Sequence, residues 1–224
     1  MQPLSVFGKS IVHSKGGGAC AGMRCGMVFT EIAVSVNKKK VLDFLNCYED
    51  SSLYEDIAEE YEAIREKVFA VIRPRAAAAI GEERAWVLLT LGDGVSELIK
   101  ALFDAGDYMG GMLADAIADQ SLFSADRSVA EQLRTVCADR KIGVVRRYDA
   151  PGNMPMEKQA EILARTEGER LLGVGITSGL MFDPVKSMGY ILELTDDPTI
   201  YRAEHDCSRC NAQNCGMRTC AYAE

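Results

Sequence analysis

Apolar residues along the chain recur with two periods, and the switches between them mark the elements. Val28, Thr30, Ile32, Val34 and Val36 alternate with Phe29, Glu31, Ala33 and Ser35, the two-residue repeat of a half-buried strand. Asn37 follows as an N-cap for a short helix over 38–45. After Ser51 and Ser52 the spacing lengthens. Leu53, Ile57, Tyr61, Ile64 and Val68 form one stripe of a long helix, which Pro74 closes. The pattern then predicts a buried strand over 85–91 and an amphipathic helix carrying Val95, Leu98, Ile99, Leu102 and Phe103. Two separate helices follow, over 108–123 and 128–140. Residues 142–146 read as strand and 156–165 as helix, with final strands over 173–177 and 186–194. Helices come in pairs and triplets between strands rather than singly. That order predicts an α+β fold, a twisted and mainly antiparallel sheet covered by helices, instead of a doubly wound one.

Residues 1–26 break the pattern. The run Gly16-Gly17-Gly18-Ala19-Cys20-Ala21-Gly22 has no period and reads as a flexible extension, with Cys20 and Cys25 as free thiols. Three segments result: the extension 1–26, an α+β domain 27–200, and a cysteine-rich tail 201–224.

Composition narrows the function classes. With 224 residues, 48% hydrophobic and 26% charged, the chain can bury one sizeable core. Its net charge of -8 and pI near 5.0 disfavour nucleic-acid backbones as partners. No run approaches the roughly 20 apolar residues of a membrane helix. No basic segment precedes an apolar one at the N-terminus. The expectation is a cytoplasmic protein without a membrane partner.

Four of the eight cysteines fall in the last eighteen residues, as Cys207-x2-Cys210-x4-Cys215-x4-Cys220. In a reducing compartment that clustering points to metal ligation rather than disulfides. Short loops keep the entropy of bringing thiolates together small. Asn211, Asn214 and Gly216 suit the tight turns whose N–H groups bond sulfur. Four thiolates suit an iron–sulfur cluster or, alternatively, zinc. No aromatic residue lies between these cysteines, so a zinc knuckle stacking on nucleic-acid bases is disfavoured.

The strand and helix of 32–45 ending Val41-Leu42-Asp43-Phe44-Leu45, the segments 113–119 and 146–153, and Ile176-Thr177, Pro184 and Ser187 follow one another in an order by which the chain, from about Ile32 to its end, resembles the activation domain of cobalamin (vitamin B12)-dependent methionine synthase, and more closely the stand-alone activation proteins of that family. Leu113-Ala114-Asp115-Ala116-Ile117-Ala118-Asp119 is similar to a family helix reading Leu-Ala-Glu-Ala-Phe-Ala-Glu. Arg146-Arg147-Tyr148-Asp149-Ala150-Pro151-Gly152-Asn153 resembles the family's Arg…Ala-Pro-Gly-Tyr loop, and Ile176-Thr177, Pro184 and Ser187 its Ile-Thr…Pro-x-x-Ser element. Asn153 stands where the family has tyrosine, and Ser178 where it has glutamate.

The resemblance implies S-adenosylmethionine as cofactor and a partner, methionine synthase or another corrinoid-binding protein, that holds cobalamin. It implies a part in methionine biosynthesis through reductive methylation of the oxidised corrinoid. It places Asp115 near the cofactor's ammonium group, Arg147 at its carboxylate, and Ala150, Pro151 and Gly152 along the wall. The competing expectation is a non-enzymatic partner-binding protein with a structural zinc tail. With only His13 and His205 present, both in expected loops, a Ser-His-Asp triad is not expected. Gly92-Asp93-Gly94 lacks the spacing of a phosphate loop.

Overall fold

A computed structural model describes residues 12–13 and 24–206, with side chains from residue 26. Eight strands and six helices are formed among the described residues. Six of the strands build one sheet in the order β1-β2-β3-β4-β8-β5, every neighbouring pair antiparallel. They are β1 (Val12–His13), β2 (Arg24–Phe29), β3 (Arg75–Ile80), β4 (Arg84–Thr90), β5 (Gly143–Asp149) and β8 (Ser187–Thr195). The expected α+β class with an antiparallel sheet is what the chain adopts.

The sheet is buried on both faces, and side-chain alternation divides the core in two. Ala76, Ala78, Ile80, Val87, Leu89, Tyr190 and Leu192 face the larger core. That core is completed by helices α1 (Lys38–Phe44), α2 (Tyr54–Val71), α3 (Gly94–Asp104) and α4 (Tyr108–Asp139). Ala77, Ala79, Trp86, Leu88 and Ile191 face a smaller core. It is closed by α5 (Lys158–Arg165), α6 (Gly168–Leu172) and the hairpin β6 (Gly175–Ile176)–β7 (Phe182–Asp183). Strand β3 reads Arg-Ala-Ala-Ala-Ala-Ile, good helix formers by intrinsic preference. Its place between β2 and β4 overrides that preference, because small side chains let both layers approach.

Three sequence expectations change. First, helix α4 runs unbroken for 32 residues, where two helices were expected. No Gly or Pro interrupts 121–131, and the Ser121 hydroxyl donates to the Ile117 carbonyl one turn back at 2.8 Å. Second, the expected strand 28–36 ends at Phe29. Met27 and Phe29 point inward, but then Ile32, Val34 and Val36 do, so the two-residue phase slips by one. Beyond the slip the backbone pairs with side chains of α4. Ser35 N–H donates to Ser124 Oγ at 2.8 Å, Ala33 N–H to Ser128 Oγ at 3.1 Å, and Gln132 Nε2 to the Glu31 carbonyl at 3.0 Å. Two extended residues advance about 6.6 Å and four helical residues about 6 Å, so the spacings match. Third, β2 opens at Arg24 and pairs with β1, so the sheet reaches into the stretch expected to be an extension. Strand β3 is buried on both faces and needs a ladder partner on that side.

The chain after β8 returns along the free edge of β5. Val144 N–H donates to the Ile200 carbonyl at 2.8 Å and Arg202 N–H to the Val144 carbonyl at 2.9 Å. Tyr201 anchors this segment by donating its hydroxyl to the Ala130 carbonyl of α4 at 2.5 Å.

Candidate functional site

Where β5 ends, Asp149 lies opposite Tyr190 of β8. Beyond this pair Ala150-Pro151-Gly152 turns away from β5, while Val185 and Lys186 lead into β8. A cleft of about 300 Å³ opens between the two turns. Strand β5 lines it with Arg147 and Asp149, and β8 with Met188 and Gly189. The smaller-core layer adds Met156, Gln159, Met181 and Phe182. Ala150, Pro151, Val185, Ser187, Phe123 of α4 and His205 complete the lining. The peptide bonds before Pro151 and Pro184 are both cis. Gly189 has a packing reason: a β-carbon there would lie 2.8 Å from the Phe182 ring, so only glycine admits the ring at this depth.

Arg147 carries the electrostatics. Its side chain is 3% exposed. Nε donates to Asp149 Oδ1 at 2.8 Å, and Nη1 to Asp126 Oδ2 at 2.7 Å and to the Ala203 carbonyl at 3.3 Å. Nη2 faces Met188 Sδ at 3.7 Å, and the guanidinium stacks 3.6 Å from the Tyr190 ring centroid. Burial opposes the charge, but Asp126 and Asp149 outweigh it and hold the guanidinium firmly protonated. Burial likewise resists ionisation of Asp149, yet His205, whose Nδ1 is 3.0 Å from Asp149 Oδ2, and Arg147 hold its carboxyl below the usual range. Burial pushes the Tyr190 phenol well up. The neighbouring Asp126 carboxylate, buried beside it, adds to the effect.

Asn153 ties this strand end to the turn. Its Oδ1 accepts from Asp149 N–H at 2.7 Å and its Nδ2 donates to the Arg147 carbonyl at 3.2 Å. On the other side, Thr177 closes the β6–β7 hairpin by pairing its N–H with the Met181 carbonyl at 2.8 Å. Ser187 donates to the Pro184 carbonyl at 2.7 Å.

Asp115 lies apart from this group. It sits two turns before Phe123 on α4, roughly 12 Å along the axis, and does not line the cleft. Its Oδ1 is 2.7 Å from Lys186 Nζ, and Asp119 Oδ1 holds the same nitrogen at 2.6 Å. Burial of Lys186 disfavours its charge, and the two carboxylates more than restore it, raising its pKa. Burial raises the Asp119 carboxyl. Thus Arg147, Ala150 and Pro151 come together at the cleft, Gly152 follows in the adjoining turn, and Asp115 belongs to a second ion cluster. Cys207, Cys210, Cys215 and Cys220 lie outside the described residues. Among the described residues no group of three or more His, Cys, Asp or Glu could hold a metal ion.

No family model matches the chain, and no curated protein does. Solved structures do match. One is the crystal structure of the MetH reactivation domain bound to AdoHcy, at TM-score 0.52 and 11% identity, covering 71% of this chain and 70% of that one. The chain has the fold of the MetH reactivation domain. At that identity the likeness extends to the path of the backbone. The cleft lies at the end of β5 and the start of β8, between the turn at 150–152 and the segment 184–187.

Sequence reasoning missed Asp126, Asp149, Lys186 and Gln159. Asp149 had a signal: it stands two residues after Arg147 on one strand and so shares its face. Asp126 and Lys186 had none, since each meets its partners across more than twenty residues of sequence.

Among the described residues no helix is long and apolar enough to cross a membrane.

Proposed function

We propose that this protein reactivates a corrinoid protein, such as cobalamin-dependent methionine synthase, with S-adenosylmethionine as methyl donor. The observation that carries the reading is the cleft beside Ala150–Gly152, in the fold of a domain solved with AdoHcy. The residues present fit an adenosyl ligand. Phe123, Phe182, Met156, Met181 and Met188 offer aromatic and polarisable surface to a flat ring, and Gln159 offers an amide able both to donate and to accept. Ala150 and Pro151 would form a wall of the site, with Gly152 in the adjoining turn. Arg147 sets the position of Asp149 and of Ala203.

The reaction balances as follows. One electron from an external reductant reduces the partner's cobalt. The methyl group then leaves the sulfonium sulfur for the reduced cobalt, releasing the thioether. This chain's share is to present the donor. A surface for the partner is available along α4 and at the cleft rim, where Tyr108, Met112, Met181 and Val185 are exposed large apolar residues.

The described residues end at Asp206, next to His205 on the lining of the cleft, and Cys207 follows directly in sequence. Cys207, Cys210, Cys215 and Cys220 would hold an iron–sulfur cluster, which supplies an electron carrier, or alternatively zinc, which has no redox role. The test combines anaerobically purified full chain, a cob(II)alamin-loaded partner, reductant and S-adenosylmethionine. Methylcobalamin absorption with one equivalent of S-adenosylhomocysteine is the expected result. Adenosyl ligands that fail to bind, with no methyl transfer, would leave the zinc-tailed binding protein as the better reading.

A further inference from the structure

The groups expected to grip the amino-acid end of an adenosyl ligand are already engaged inside the protein. Arg147 is buried, and its donors are directed at Asp149, Asp126, the Ala203 carbonyl and Met188. A ligand carboxylate would have to displace a buried carboxylate and leave it unpaired, an exchange strongly disfavoured in such surroundings. Asp115 does not line the cleft and is paired with Lys186. Lys186 is itself held by two carboxylates.

The remaining acid of the cleft, Asp149, meets Arg147 through one oxygen and His205 through the other. With both oxygens so engaged, it turns a ligand carboxylate away and has no oxygen left for a ligand ammonium. The space points in the same direction. About 300 Å³ is at the small end of ligand cavities, enough for a nucleoside with a short substituent. Most of the lining that remains is apolar, aromatic or thioether, with the amide of Gln159, the hydroxyl of Ser187 and the His205 imidazole, turned to Asp149, as its polar groups. Such a lining selects a flat heterocycle and the polarisable sulfur attached to it.

We infer that the cleft recognises the thioadenosine part of its ligand and makes no charged contact with the amino-acid part, so its ligand class is 5′-thioadenosines at large. This rests on the adenosyl reading of the cleft and narrows it. Affinity then resides in ring stacking and the amide edge, while the amino-acid end projects into solvent.

The experiment is calorimetric titration of the full, metal-replete chain with three probes: S-adenosylhomocysteine, 5′-methylthioadenosine and homocysteine. The expected result is that 5′-methylthioadenosine binds within threefold of S-adenosylhomocysteine and homocysteine does not bind. If S-adenosylhomocysteine binds but 5′-methylthioadenosine is more than threefold weaker, the amino-acid end is recognised. The inference then falls while the adenosyl reading stands. If neither nucleoside binds, the adenosyl reading falls and takes the inference with it.

Discussion

Two buried cations, each held by two carboxylates, do different work. Arg147 is planar, stacked on Tyr190 and almost wholly enclosed, with Asp126 and Asp149 at 10% and 19% side-chain exposure. Lys186 is nearly as buried, yet its partners Asp115 and Asp119 are 48% and 30% exposed. The first cluster is sealed and orders the segment 203–205. The second is open to solvent and pins the start of β8 to α4. A guanidinium with five fixed donors suits the first task, and a compact ammonium at a solvent boundary suits the second. Equal charge counts therefore predict unequal energies.

The largest effect is expected from Arg147→Met. It strands Asp126 and Asp149 in the interior and should cost about 3–5 kcal/mol. For a chain of this size that is a fall of about 10 °C in melting temperature, read by circular dichroism. An effect as small as that of a surface substitution would mean the sealed cluster is not what holds 203–205. Gly189→Ala should come next, at about 1–3 kcal/mol from the clash with Phe182, and should also narrow the cleft and weaken adenosyl ligands. Lys186→Met should cost about 1–2 kcal/mol, less than Arg147→Met, because Asp115 can turn to water and Asp119 can take up a proton. Asp115→Asn is the smallest, below about 1 kcal/mol, as befits a half-exposed pair.

Acid separates the two clusters by sign. The Asp149 carboxyl is held below its usual value, so its stabilisation is present above the ordinary carboxylate pKa of about 4 and is lost as pH falls through the folded value. Asp119 is raised by burial, so its contribution is present below the ordinary value and fades as pH rises through the folded one. Melting curves between neutral pH and pH 3 should lose less stability in Asp149→Asn than in the parent, and more in Asp119→Asn. The reverse order would break the comparison.

How much of this was legible in the sequence follows from the range of the interactions involved. Asn37 capped its helix as expected, its Oδ1 accepting from Lys40 N–H at 3.1 Å, because a cap is decided within four residues. The apolar stripe of α2 likewise buried Tyr61, Ile64 and Val68. The strand β3 and the unbroken α4 were not legible. Four consecutive alanines follow local preference only when no sheet surrounds them, and residues 124–127 read as a gap between two helices because the use of Ser124 and Ser128 as acceptors for the distant N–H groups of Ser35 and Ala33 leaves no local signal. At the site, the position of Ala150-Pro151-Gly152 was readable from the turn, whereas the engagement of Arg147 depends on Asp126, twenty-one residues away on another element.

The return of residues 200–203 along β5 also bears on self-association. Strand β5 ends one side of the sheet, and an uncovered outer strand is a template for pairing with a second molecule. The Ile200–Arg202 hydrogen bonds occupy part of that template. A truncation that removes the cysteines should therefore stop after His205. One that stops before Ile200 would bare the strand, and the resulting clumping would imitate a requirement for the metal.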